Sequence, residues 1–226
     1  MTTDIYAAEG RSLPQRVLLT AAGGVSLGLA WWILLGTGIE RLTPWRAGNE
    51  SRRICLAVAL TIYLLRLLAT QFVFLKRAVG WGEAGAIAPW LLLLYVAYAL
   101  AGGTNSAAAG VAAVGGGILF VLGSWMNSYA ELARDRWKRR PGNRGKLYTL
   151  GLFRYARHPN YLGDVISFTG LSVLTGRWET TFIPLAILAG FILVNIPMLD
   201  AHLHDHYGAA FDEYAMRTRK LIPFVY

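Results

Sequence analysis

Tyr63 and Arg66 stand three residues apart in a stretch otherwise dominated by leucine, isoleucine and alanine. On a helix that spacing puts both side chains on one face. A charge near the middle of a membrane span costs on the order of 3 kcal/mol on insertion scales, so an arginine there marks either a buried ion pair or a functional site. A phenol beside a guanidinium could donate to a carbonyl oxygen and stabilise the charge that develops on it.

Two further groups of residues carry chemistry. The stretch ARDRWKRRPGNRGKLYTLGLFRYARHPNYLGD, residues 133–164, holds Arg134, Lys138, Arg139, Arg140, Arg144 and Lys146. Guanidinium forks bind phosphate bidentately, as a polyphosphate ligand requires, although a solvated basic loop has the same composition. At its end Arg157, His158, Asn160, Tyr161 and Asp164 crowd the mouth of an apolar run. Solvation there is incomplete, and each polar group has to find a partner. The second group is Asp200, His202, His204, Asp205, His206 and Tyr207. Residues two apart on a helix point to different faces, so a metal could take only the Asp200 and His204 pair with ease. A cofactor or packing role is expected there, and no metal site.

The elements that must position these residues are membrane spans. Of 226 residues 55% are hydrophobic and 15% charged, against roughly 25% charged in an ordinary soluble domain. An unbroken run of 47 uncharged residues separates Glu83 from Glu131, where about 20 cross a bilayer. Lipid leaves backbone groups without partners, and continuous apolar runs without alternation choose helices over a barrel. The spans are expected at about 17–39, 54–75, 84–101, 107–130, a short fifth from 165, and a sixth at 180–199. Gly102, Gly103, Thr104, Asn105 and Ser106 form the turn that splits the long run. The fold class is therefore all-α, a polytopic membrane bundle of about six, at most seven, transmembrane helices in a single domain over residues 1–226.

Nine of the 22 Lys and Arg residues fall within 131–160, against four in the loop after the first span. The positive-inside rule then puts that loop and both termini in the cytoplasm. The formal charge of +9 is read as contact with anionic membrane lipids. No nucleic-acid motif accompanies it, so no nucleic-acid partner is expected. The single cysteine, Cys55, excludes an internal disulfide and CxxC metal sites.

The string RHPNYLGD together with IPFVY at the C-terminus resembles the membrane steroid 5α-reductases, their bacterial relatives and the sterol C14-reductases. The similarity runs over roughly residues 127–226 and more weakly into the second span, where Tyr63, Leu64, Leu65, Arg66 match a Tyr-x-x-Arg pattern. Membrane methyltransferases of the isoprenylcysteine and phospholipid type share the RHPxY outline, but generally lack the Asn-Tyr followed by Gly and an acid. The resemblance implies an NADPH-dependent reductase of a conjugated carbon–carbon bond in a steroid-like or other lipophilic enone drawn from the bilayer, in an inner bacterial membrane. The alternative it leaves open is a methyltransferase using S-adenosylmethionine on a lipid or prenylcysteine.

Carried over residue by residue, the resemblance implies that Asn127, Glu131, Arg140, Tyr148, Asn160 and Asp164 hold NADPH. Tyr207 and one of His202 or His204 complete the pocket, with Arg157, His158 and Tyr161 in the same cofactor-binding half. Tyr63 would meet the substrate carbonyl and Arg66 the cofactor. Two departures stand out. Asp164 occupies a position where 5α-reductases carry Glu and sterol reductases Asp, and the acid those enzymes place in an earlier span has no counterpart here except Glu40, which is expected to substitute for it.

Overall fold

The apolar runs fold as helices in the computed structural model, which describes residues 12–226. Nine helices lie among the described residues: α1 (Leu13–Leu35), α2 (Gly38–Leu42), α3 (Glu50–Ala69), α4 (Trp81–Gly103), α5 (Val111–Lys138), α6 (Pro159–Thr175), α7 (Phe182–Gly190), α8 (Ile196–Tyr207) and α9 (Ala209–Arg217). A π-turn, Thr70–Phe74, prolongs α3, and a second, Phe191–Asn195, joins α7 to α8. Among the described residues, five helices are long and apolar enough to cross a membrane: α1, α3 with its π-turn, α4, α5 and the composite Trp178–Tyr207. At 17 residues, α6 is about 25 Å long, the short end of what a span needs. The polytopic all-α bundle expected from the sequence is the fold observed.

The helix ends differ from the apolar limits. The Asn49 side chain accepts from the Arg52 backbone N–H at 3.0 Å and starts α3 at Glu50, as N-caps do. Arg52 and Arg53, expected in a loop, are thus helical. Beyond Ala130, α5 continues to Lys138, which puts Glu131 and Arg134 on a helix as well. Pro159 opens α6 at a position that needs no N–H, six residues before the expected start. Arg157, His158 and Asn160 therefore frame a helix N-terminus.

Helix packing fixes what faces what. The closest pair is α5 with α6, which touch backbone to backbone at Gly123 and Gly163. A Cβ on Gly123 would sit 2.5 Å from the Gly163 carbonyl oxygen, and one on Gly163 would sit 2.7 Å from the Asn127 nitrogen. Small residues permit such approaches in membrane bundles. Beside this pair α3 and α4 contribute Leu60, Tyr63, Tyr95 and Tyr98 to a core completed by Phe168 and Leu171 of α6. The buried hydroxyls of Tyr95 and Tyr98 donate to the carbonyls of Leu60 and Phe168, both at 3.0 Å. The C-terminal segment folds back on the start of α6, where the Arg157 and His158 N–H groups donate to the carbonyls of Arg219 and Lys220 at 2.8 and 3.0 Å.

Candidate functional site

Because α5 and α6 approach so closely, their polar residues meet at one level of the bundle. Asn160 donates to Glu131 Oε1 at 2.9 Å, and Asn127 donates to the Asn160 carbonyl at 3.0 Å. The second Glu131 oxygen accepts from Arg134 at 2.5 Å, and the Arg134 guanidinium lies 5.9 Å from the Phe153 ring centroid. One turn along α6, Asp164 pairs with Arg66 Nη2 of α3 at 2.8 Å. Two polar links thus tie α5 to α6 and α6 to α3.

Tyr63 and Arg66 share a face, as their spacing requires, and the guanidinium carbon sits 5.2 Å from the Tyr63 ring centroid. The phenol is buried, held edge-on by Phe168 at 5.1 Å and tilted against Tyr95 at 6.0 Å. Its hydroxyl makes no hydrogen bond among the described residues. Arg66 Nη1 is also buried and without a partner. An unpaired buried donor such as Arg66 Nη1 costs on the order of 1–3 kcal/mol, and a ligand acceptor would satisfy it together with the Tyr63 hydroxyl.

A second polar group sits at the mouth of α6. Asp200 of α8 accepts from Arg157 Nη2 and pairs with His158 Nε2, each at 2.9 Å. Arg157 Nη1 donates to the carbonyls of Ala215 and Thr218 at 3.1 and 3.3 Å. Burial holds the His158 imidazole below its ordinary pKa; the Asp200 carboxylate opposes this, and Arg157 and Arg134 add to it. The ring stacks on Tyr161 at 5.4 Å, which stacks on Phe191 of the second π-turn at 4.3 Å. This group fastens α6, α8 and the C-terminal segment together.

The remaining residues singled out from sequence lie further out. Tyr148 is buried between Trp137 and Phe153, and burial raises its phenol pKa. Tyr207 accepts from Lys138 Nζ at 2.6 Å and borders a cavity of about 420 Å³ that also includes Lys146 and Arg217. His204 pairs with Asp212 at 2.9 Å, and the His202 ring lies 6.3 Å from that of His206. Asp200 and His204 are each engaged elsewhere, so they form no shared metal pair, and no group of three metal-ligating side chains occurs among the described residues. Arg140 is exposed. Glu40 is exposed on α2, where it accepts from the Ala47 N–H at 3.0 Å. It lies by the first turn of α3 with Arg53 as its charged neighbour, and Tyr63 is ten residues, about 15 Å, further along that helix. Sequence reading expected a cofactor or packing role for Asp200, and nothing in its local sequence pointed to His158, 42 residues earlier.

Comparison with known proteins finds one family and several partial relatives. The family described as "Protein of unknown function (DUF1295)" matches residues 84–218, which hold the α5, α6 and α8 parts of the site but not α3. The chain is 31% identical over 114 residues to the 3-oxo-5-alpha-steroid 4-dehydrogenase 2 of Sus scrofa, covering 49% of this chain and 42% of the relative. The Homo sapiens protein of that name is 30% identical over 112 residues, with the same coverage. A probable protein-S-isoprenylcysteine O-methyltransferase of Oryza sativa subsp. japonica is 31% identical over 80 residues, covering 35% of this chain and 42% of the relative. The matched stretch spans less than half the length of each relative.

Proposed function

We propose that this chain, which belongs to the DUF1295 family, is an NADPH-dependent membrane reductase that saturates the conjugated carbon–carbon bond of a lipophilic enone. The observation that carries the reading is the hydroxyl of the buried residue Tyr63, without a hydrogen bond among the described residues, beside an arginine whose Nη1 is buried and unpaired. Reduction of an enone collects negative charge on its carbonyl oxygen, and a preplaced donor in a water-poor site stabilises that charge.

Tyr63 Oη would donate to the carbonyl oxygen, while Phe168 and Tyr95 keep the phenol in place and exclude water. Asp164 orients Arg66, so that the free Nη1 is presented to the ligand. Asn127, Glu131 and Asn160 are prearranged by their own hydrogen bonds, with Arg66, Asp164, Arg140, Tyr148 and Tyr207 as further residues to hold the cofactor. When bound, NADPH supplies the hydride. The orphaned Arg66 nitrogen, and Lys146 and Arg217 at the cavity that Tyr207 borders, fit a polyphosphate dinucleotide. Residues 127–226 act as the cofactor-binding half, the basic loop and both termini facing the cytoplasm.

The second reading, methyl transfer from S-adenosylmethionine, is supported by the match to isoprenylcysteine methyltransferases. A sulfonium ligand calls for free carboxylates, whereas Glu131 and Asp164 are already engaged by Arg134 and Arg66. Parallel titration of the purified protein with NADPH and with S-adenosylmethionine, followed by tryptophan fluorescence, tests the choice. Saturable binding of NADPH alone is expected, and binding of S-adenosylmethionine alone overturns the reductase.

A further inference from the structure

Gln71 is 4% exposed, and neither its amide nitrogen nor its amide oxygen has a hydrogen-bond partner. Five buried side-chain atoms are orphaned among the described residues. Two are the Nε atoms of Arg52 and Arg157, whose other nitrogens are bonded. The other three are Arg66 Nη1 and both Gln71 amide atoms. Tyr63, Arg66 and Gln71 fall at i, i+3 and i+8 of α3 and its π-turn, spacings that belong to a single helical stripe. With the unbonded Tyr63 hydroxyl, the stripe carries unpaired polar atoms over about 12 Å of a helix read as a membrane span; Arg66 Nη2 pairs with Asp164, and the Gln71 backbone carbonyl accepts from Arg16 of α1.

An apolar residue at position 71 would avoid the desolvation penalty of a buried, unpaired amide. The π-turn that carries Gln71 adds to this, since such turns recur at functional sites. We propose that Gln71 is a ligand-binding residue of the Tyr63 and Arg66 site, its amide pairing with a ribose hydroxyl of the nucleotide cofactor. The chemistry selects that group. An uncharged amide with both a donor and an acceptor to satisfy matches a hydroxyl, which offers both, better than a phosphate, which calls for cations. Position also selects it. Gln71 lies beyond Arg66 from Tyr63, toward the end where Lys76 approaches Asp135 of α5 at 3.6 Å, so it follows the cofactor side of the edge and not the substrate side.

The inference rests on the cofactor reading above, but both candidate cofactors carry a ribose. NADPH and S-adenosylmethionine are therefore titrated against the parent and Gln71→Met, which keeps the side-chain length and removes both polar atoms. Without ligand, Gln71→Met should unfold at the same or a higher temperature than the parent, because an orphaned amide is gone. Its affinity for NADPH should fall about tenfold, the worth of one good hydrogen bond. An NADPH analogue lacking the 2′-hydroxyl of the nicotinamide ribose should cost the parent a similar factor and cost Gln71→Met little more. If the parent binds S-adenosylmethionine instead and Gln71→Met weakens that, the reductase reading falls and the Gln71 assignment stands. Unchanged affinity in Gln71→Met for the cofactor the parent binds, or a lowered unfolding temperature without ligand, overturns the assignment; a parent that binds neither molecule overturns it together with the reading it rests on.

Discussion

Two arginines of one helix, Arg52, which is buried, and Arg66, which is half-buried, both reach α6, and their guanidiniums are paired differently. Arg52 Nη1 donates to the Leu174 carbonyl at 2.6 Å, and Nη2 donates to those of Ala107 and Ala108 at 3.3 and 3.1 Å. Asn105 donates beside it to the carbonyls of Thr175 and Gly176 at 2.9 and 3.2 Å. The last turn of α6 leaves carbonyls unpaired and carries the negative end of its dipole, so a cation there closes the joint. Gly176, at φ 65°, makes the left-handed turn that ends the helix. Arg66, fourteen residues and about 21 Å along, meets a single carboxylate, faces a phenol, and keeps one nitrogen free. Arg52 has both terminal nitrogens on carbonyls and only Nε unpaired, as a structural joint requires, whereas Arg66 leaves a terminal nitrogen unpaired, the one that the proposed function offers to a ligand.

That contrast is tested most sharply at its reactive end. Tyr63→Phe removes only the hydroxyl, so NADPH affinity should hardly change, while single-turnover oxidation of bound NADPH by a steroid enone slows by about two to three orders of magnitude. A parental rate would remove Tyr63 from the chemistry and return it to the packing core. At the structural end, Arg52→Met strands the carbonyls at the close of α6. It should lower stability by about 2–3 kcal/mol, read as a fall in unfolding temperature in detergent, with NADPH affinity unchanged in the protein that remains folded. Loss of cofactor binding without loss of stability would reverse the roles assigned to the two arginines.

A smaller effect is expected at Asp164→Asn, which keeps the shape but leaves Arg66 without its counter-charge. The freed guanidinium should wander, and NADPH affinity should drop about tenfold with little change in unfolding temperature; tighter binding would mean that Asp164 competes with the ligand and does not orient Arg66. The smallest effect is a pH dependence. His158 is held below its ordinary pKa of about 6.5, so below that value the unfolded chain takes up the proton more readily than the folded one. Its contribution to stability is complete above about pH 6.5 and is lost as the pH falls toward the folded value. The unfolding temperature should decline from pH 8 to pH 5.5, and His158→Gln should flatten part of that decline. An undiminished slope in the variant would assign it to other groups.

The bundle and the pairing of Tyr63 with Arg66 on one face were legible in the sequence, because both depend on local properties. A 47-residue uncharged run cannot stay in water, lipid forces it into helices, and helical periodicity decides which near neighbours share a face. The order of residues likewise marked the RHPNYLGD segment as a polar group against an apolar run. Partners across the bundle were not legible. Arg52 looked like a loop charge because its acceptors are backbone carbonyls, which every residue supplies, and only the packing of α6 and of the α4–α5 connection against α3 selects those of Leu174, Ala107 and Ala108. The Arg66–Asp164 pair spans about a hundred residues of chain and needed the glycine contacts of α5 with α6 to set its level. Glu40 lay close to the span in sequence and far from Tyr63 in space, because α2 ends the chain's turn at the other end of α3. Composition and period determined the spans and their polar residues; helix packing alone decided which polar atoms are satisfied and which are left unpaired, since that depends on distances between elements that the order of residues does not encode.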